Sequence, residues 1–189
     1  EGNFLTNGSL PEDIAPSDPL PGFHWKFLCP NTGYHDHIIA QVKELCERYK
    51  TDGFWFDIYQ AHRHCFCEAC RNDMKEAGID LDDTAAVETF NASKMKAHCA
   101  ALRELITDYH PSARVFFNGT TAIDGGINFR QSMYAQNTVQ DLEDLPTVWG
   151  GYDKLPLQSK YFLKAGYPIT AMSGKFHTAW GEFGGFKHP

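Results

Sequence analysis

From residue 22 to the end of the chain, short and continuously apolar runs alternate with stretches whose apolar residues recur every three or four positions. Runs of four to eight apolar residues read as strands and longer periodic stretches read as helices, so the pattern is β, α, β, α. The strands are expected in GFHWKFLC (22–29), GFWFDI (53–58), ARVFFN (113–118), NTVQDLE (137–143) and YPITAMSG (167–174). Ile38, Val42, Leu45 and Tyr49 lie on one face of a first helix, and Met95, Cys99, Leu102, Ile106 and Tyr109 on one face of a second, within about 84–109. That second helix ends at His110-Pro111, because proline cannot continue it, and residues 153–165 read as a third helix. GFWFDI is so uniformly apolar that neither of its sides is expected to be wet.

Strict alternation of strands and helices implies crossover connections and a parallel sheet, either doubly wound or closed into a (β/α)8 barrel. No G-x-G-x-x-G follows any strand, which removes support for a dinucleotide fold. Asn31, Asp57, Asn118, Glu143 and His177 all fall at or just after the C-terminal ends of strands, which is the active-site rim of a TIM-type barrel. A whole barrel takes about 250 residues. The 189 residues here and the five strands read from them predict an incomplete barrel over 22–189, preceded by an irregular segment, 1–21.

Composition limits the partners. Hydrophobic residues make up 42% of the chain, enough for a core, and the formal net charge is −7 with lysines and arginines scattered. Without a basic patch, nucleic acid is not an expected partner, and no apolar run approaches the ~20 residues of a membrane span. The beginning, EGNFLTNGSLPEDIAPSDPLPG, lacks the basic and apolar regions of a signal peptide. Three N-x-S/T triplets, at Asn7, Asn91 and Asn118, are common enough by chance to decide nothing. A homo-oligomer of the full-length protein is compatible with all of this.

Three of the six cysteines crowd into C-x-C-x-x-C at Cys65, Cys67 and Cys70. A disulfide framework spreads its cysteines, whereas thiolates at these spacings converge on one tetrahedral zinc. Clustered thiols suit a reducing, cytoplasmic compartment. Cys29 is the best fourth ligand, because it ends the strand before that of Asp57 and neighbouring parallel strands bring their C-terminal loops together; His62 or His64 is the alternative. Four thiolates close the coordination sphere, so such a zinc braces a loop, whereas a histidine site with an open position would activate water. Cys46 and Cys99 sit on or beside the helix faces and read as core thiols.

Asp57 ends an aromatic strand at the rim, where an acid must be paired or functional. Asp141 and Glu143 are two residues apart on a strand, so their side chains point the same way, as paired acids for proton transfer would. Farther on, Lys175, His177, Trp180 and Glu182 stand among glycines after the last strand, and Trp149 precedes a glycine pair. Aromatic rings with polar neighbours suit the apolar faces and hydroxyls of a sugar, so these residues and Asn118 are candidate carbohydrate contacts.

CPNTGY, DGFWFDI, CFCEAC, LEDLPTVWGGYD and MSGKFHTAWGEFGGFKHP, in that order, resemble barrel glycoside hydrolases of the hypothetical glycosyl hydrolase 6 type. The cysteine cluster is similar to the structural four-cysteine zinc site of family 42 β-galactosidases, which favours Cys29 as fourth ligand. The WFD segment is similar to the nucleophile strand of family 29 α-L-fucosidases, which implies that Asp57 is the nucleophile. Related sequences read E-x-E-x-L-P where this chain has Asp141 to Pro146, implying Glu143 as acid/base and Asp141 as its helper. The resemblance implies a retaining glycosidase acting on carbohydrate. A zinc-dependent hydrolase using His62 or His64, and a carbohydrate-binding barrel without turnover, are the other functions the sequence allows.

Overall fold

The computed structural model describes residues 4–5, 27–59, 64–121, 123, 134–144 and 151–173. The chain is a mixed α/β protein in two units. One comprises Glu1–Thr51 with Gln60–Ala113, the other Asp52–Tyr59 with Arg114–Pro189.

The first unit is mostly helical. Strand β1 (Phe4–Leu5) pairs antiparallel with β2 (Phe27–Leu28), and helix α1 (Gly33–Arg48) follows. Thr32 caps α1: its Oγ1 accepts from the Tyr34 N–H and donates to the Cys29 carbonyl, satisfying one of the helix's orphan donors. Helix α2 (Glu68–Glu76) forms where the sequence suggested only a cysteine loop, and its buried Cys70 and Met74 are one turn apart on one face. Helix α3 (Thr84–Tyr109) matches its predicted span and is capped by Asp83, whose carboxylate accepts from the N–H groups of Ala85 and Ala86.

Helices α1 and α3 pack together. The face of α1 differs from the expectation. Val42 and Cys46 are the buried residues, while Leu45 and Tyr49 are 44% and 61% exposed, so the inward stripe is rotated by about one residue. The reason lies on α3, which meets α1 through polar groups as well: His98 approaches His35, and the Tyr109 hydroxyl donates to Glu47. On α3 itself Met95, Cys99, Leu102 and Ile106 are buried as expected, but Tyr109 is 39% exposed. Cys46 and Cys99 are core thiols, both pushed up in pKa by burial. Asn91 of the second N-x-S/T triplet is buried within α3 and donates to the Val87 carbonyl, which makes it inaccessible as an acceptor for a glycan.

The second unit holds the parallel strands. β3 (Gly53–Phe56) pairs in parallel with β4 (Arg114–Phe117), Trp55 opposite Phe116. β5 (Gln140–Asp144) pairs in parallel with β6 (Ile169–Ser173), Asp141 opposite Thr170. Helix α4 (Lys154–Lys164) connects β5 to β6 and packs on both, a β-α-β unit of the kind that the alternation implied. Its core is Tyr134, Leu142, Leu155 and Phe162, with the Tyr134 ring edge-on to Phe162 at 5.1 Å. The helix ends at Gly166, whose φ of +84° suits only glycine without strain.

β3 departs from the expectation of a dry strand: Trp55 is 47% exposed and no residue of β3 is fully buried. It pairs with β4 along one edge alone among the described residues. Gly53 is required there, since a Cβ would lie 2.7 Å from the Arg114 carbonyl oxygen. On the other edge of β4, side chains replace a strand. The Val115 N–H donates to Thr138 Oγ1 and the Phe117 N–H to Asn137 Oδ1, while Asn137 Nδ2 donates to both Thr120 and Gln140. These buried amides therefore tie β4 to the start of β5 where no ladder runs. Asp144, one residue past the expected end of its strand at 143, is the last and fully buried residue of β5. Among the described residues the strands form three two-stranded sheets and close no barrel.

Candidate functional site

Alternation along a strand places residues two apart on one side. In the second unit this puts Trp55 and Asp57, Phe116 and Asn118, and Asp141 and Glu143 on the sides that meet. At the strand ends the Asn118 amide is the hub: its Nδ2 donates to Asp57 Oδ1 at 2.9 Å and to Glu143 Oε2 at 3.2 Å. Two bonds of these lengths from one nitrogen keep the two bonded carboxylate oxygens within roughly 6 Å of each other. Asn118 has little freedom. Its Oδ1 accepts from the Gly119 N–H, its backbone N–H donates to the Phe56 carbonyl and its carbonyl accepts from the Tyr59 N–H. The bond from Gly119 also fixes the amide orientation, because a carboxylate can only accept and must face the NH2.

Asp57 is exposed and Glu143 half-buried. Between Asp57 and the returning chain, Ile58 adopts φ +57°, a conformation that is strained for a β-branched residue and costs on the order of 1–3 kcal/mol. Strain of this kind concentrates at sites where the backbone must aim a functional group.

Asp141 lies one layer below. Its Oδ2 accepts from Trp55 Nε1 at 3.0 Å and its Oδ1 from Thr170 Oγ1 at 2.9 Å, so both oxygens are engaged and the carboxylate joins β3 to β6. Local pattern does not single out Trp55 or Thr170, although the place of Trp55 two residues before Asp57 puts it on the same side of the strand. Glu143 is also held from its backbone, where Lys154 donates to its carbonyl. Of the other expected sugar contacts, Trp149, Lys175, His177, Trp180 and Glu182 lie outside the described residues.

The fold is shared with a solved structure. The chain aligns with the α-L-fucosidase isoenzyme 2 from Paenibacillus thiaminolyticus at 34% identity and a TM-score of 0.75, over 88% of its own length. It spans 24% of the length of that enzyme. No family model and no curated protein matches the chain. The similarity is a glycoside-hydrolase-like relationship, in keeping with two acids gathered at strand ends.

In the first unit Cys29, Cys65, Cys67 and Cys70 are all buried, none is in a disulfide, and their sulfurs lie within 4.8 Å of one another. A tetrahedral ion with Zn–S near 2.3 Å requires sulfurs about 3.8 Å apart, and the Cys29–Cys70 pair stands at 3.5 Å. The set fits a four-thiolate metal centre. The four are electrostatically unequal: Cys67 is held low, first by hydrogen bonding with Cys29 and then with Cys65 and Cys70, while Cys65 is pushed up, again first by Cys29. Cys29 is also held low and Cys70 is pushed up, so the four thiols do not ionise alike. Of the alternative ligands, His62 lies outside the described residues. His64 is not in the set, and its Nε2 is 3.5 Å from Glu88 Oε1. Asn31, expected at the rim, belongs to this cluster: its backbone N–H donates to Cys29 Sγ and its Nδ2 to Cys70 Sγ and Asp73.

Proposed function

We propose that the chain is part of a (β/α)8-barrel glycoside hydrolase of the fucosidase or galactosidase type, which cleaves glycosidic bonds of carbohydrate with retention of configuration. The observation that carries this reading is the single Asn118 amide shared by Asp57 and Glu143. Retaining enzymes hold their two carboxyl groups about 5–5.5 Å apart, inverting ones ~6.5–9.5 Å apart to admit a water. The similarity to an α-L-fucosidase favours that sugar class.

In the mechanism Asp57 attacks the anomeric carbon as the glycosidic C–O bond breaks, and Glu143 gives its proton to the departing oxygen. Glu143, now a carboxylate, takes a proton from water; the resulting hydroxide equivalent attacks the anomeric carbon and displaces Asp57. Asp141 is a positioning residue: with Trp55 and Thr170 it fixes the strand on which Glu143 stands. Lys175, His177, Trp180, Glu182 and Trp149 supply stacking surface and hydroxyl partners. Cys29, Cys65, Cys67 and Cys70 hold one structural zinc, whose chemistry is to clamp the chain and not to activate water.

The test uses the full-length protein and aryl α-L-fucosides and β-galactosides. A 2-fluoroglycosyl fluoride of the accepted sugar is expected to leave a covalent adduct on the peptide containing Asp57, and Asp57→Gly to lose turnover that azide restores as a glycosyl azide. Wild-type hydrolysis rates in Asp57→Asn, or a first-formed product of inverted configuration, would refute the assignment.

A further inference from the structure

The carboxylate pair uses Asp57, Asn118 and Glu143, and the cysteines account for the metal, but a chain of polar groups beside the cluster remains unassigned. Asn31 presents two donors to two different sulfurs: the backbone N–H to Cys29 Sγ at 3.4 Å and Nδ2 to Cys70 Sγ at 3.7 Å. The other hydrogen of the same Nδ2 goes to Asp73 Oδ2 at 3.0 Å, and that oxygen accepts from Lys94 Nζ at 2.6 Å. Lys94 is steadied over the Phe90 ring, 5.0 Å from its centre. Asp73 comes from α2 and Lys94 from α3, so the orientation of the Asn31 amide is fixed by two elements outside its own turn.

We propose that Asn31 is a second layer of the metal centre: its backbone N–H donates to the Cys29 thiolate, and its side-chain amide, aimed by the Asp73–Lys94 ion pair, donates to the Cys70 thiolate. This rests on the four cysteines binding a metal ion, as proposed above. Four thiolates around a divalent cation leave a net charge of two minus in a buried place, and N–H donors directed at sulfur disperse that charge without adding a ligand. Asp73 does for the amide what a carboxylate does for a metal-bound histidine: by accepting one hydrogen it fixes the group and polarises the other N–H. An asparagine that only shaped the turn before α1 would have no need of a partner on α2, since Thr32 already closes that turn by bonding to the Cys29 carbonyl.

The experiment is metal binding by the intact protein, using Zn2+ against a chromophoric chelator and Co2+ for its spectrum. Wild type is expected to take up one ion with the visible bands of tetrahedral cobalt and intense near-ultraviolet sulfur-to-cobalt charge transfer. Asn31→Ala should keep its far-ultraviolet circular dichroism and one-to-one stoichiometry, bind zinc roughly 10- to 100-fold more weakly, and show the charge-transfer band moved to lower energy. Loss of the Nδ2 donor raises the lone pairs of the Cys70 thiolate, while the backbone N–H to Cys29 stays, and a purely structural residue would not move the band. Should Asn31→Ala fail to fold, Asp73→Asn reads the same effect in smaller size, because the amide stays but is no longer aimed by charge. Zinc affinity within twofold of wild type and an unmoved charge-transfer band in the variant that folds would overturn the role of Asn31 while leaving the metal centre intact. A wild-type protein that binds neither ion would overturn both.

Discussion

His98 offers a sharp test of how α3 is held against α1. It is 2% exposed, and its Nδ1 stands 2.7 Å from Nδ1 of His35, with ring centres 4.9 Å apart. Only one of two facing ring nitrogens can donate, so the pair needs an unprotonated nitrogen between them. Burial first, and then the charge of His35, hold the pKa of His98 down at about 4, against 6.5 for a free imidazole. Between those two values the unfolded chain takes up a proton that the folded chain refuses. Stability from this group is therefore complete above pH 6.5 and is lost as the pH falls toward 4. A gap of this size at 1.36 kcal/mol per pH unit is worth roughly 3 kcal/mol. Urea unfolding of wild type and His98→Leu from pH 7.5 to 4 measures it. The variant starts less stable, having lost the bond to His35, but its stability should fall less steeply with acid, by roughly 3 kcal/mol over the whole range. Parallel curves for the two proteins, or an imidazole of His98 that titrates near 6.5 in the folded protein by NMR, would refute the reasoning.

Two further outcomes follow from the proposed glycosidase and its proposed metal centre. Asn118→Ala removes the donor shared by Asp57 and Glu143, and the full-length enzyme should lose on the order of 100-fold in kcat with KM little changed, since misplaced reacting groups slow chemistry more than binding; a loss below threefold in kcat would count against a shared site. Removing the metal with a chelator should lower the thermal midpoint of the protein and its activity together, because the ion's binding energy is folding energy. Activity that stops while the midpoint stays in place would instead indicate a metal that acts in catalysis.

Asp57 and Glu143 could be picked out from the sequence because a strand fixes which way its residues point: an acid at the end of an aromatic run, and two acids two residues apart, carry their direction in their spacing. What spacing could not give is distance between strands. Asp57, Asn118 and Glu143 stand at the ends of three separate strands, and spacing marks Asn118 as a candidate sugar contact without showing that its amide joins the two acids. Asp141 shows the same limit. Its direction was right, but its two hydrogen-bond partners, Trp55 and Thr170, are 86 and 29 positions away.

The sequence by itself determined the alternation from β3 through α3, β4, β5 and α4 to β6, the span of α3 and the parallel pairing of β3 with β4 and of β5 with β6, because propensity, period and proline act within a few residues of chain; it did not show α2 or the antiparallel pair β1–β2. It also determined that three cysteines would sit together, since a C-x-C-x-x-C loop is too short to separate them. Only the tertiary structure decided that Cys29 completes the set, that Asn31 serves the cluster and not the rim, and that α1 buries Cys46 instead of Leu45. Each of those depends on which surface a second element presents, and that is fixed by packing between residues tens of positions apart, where local pattern carries no information.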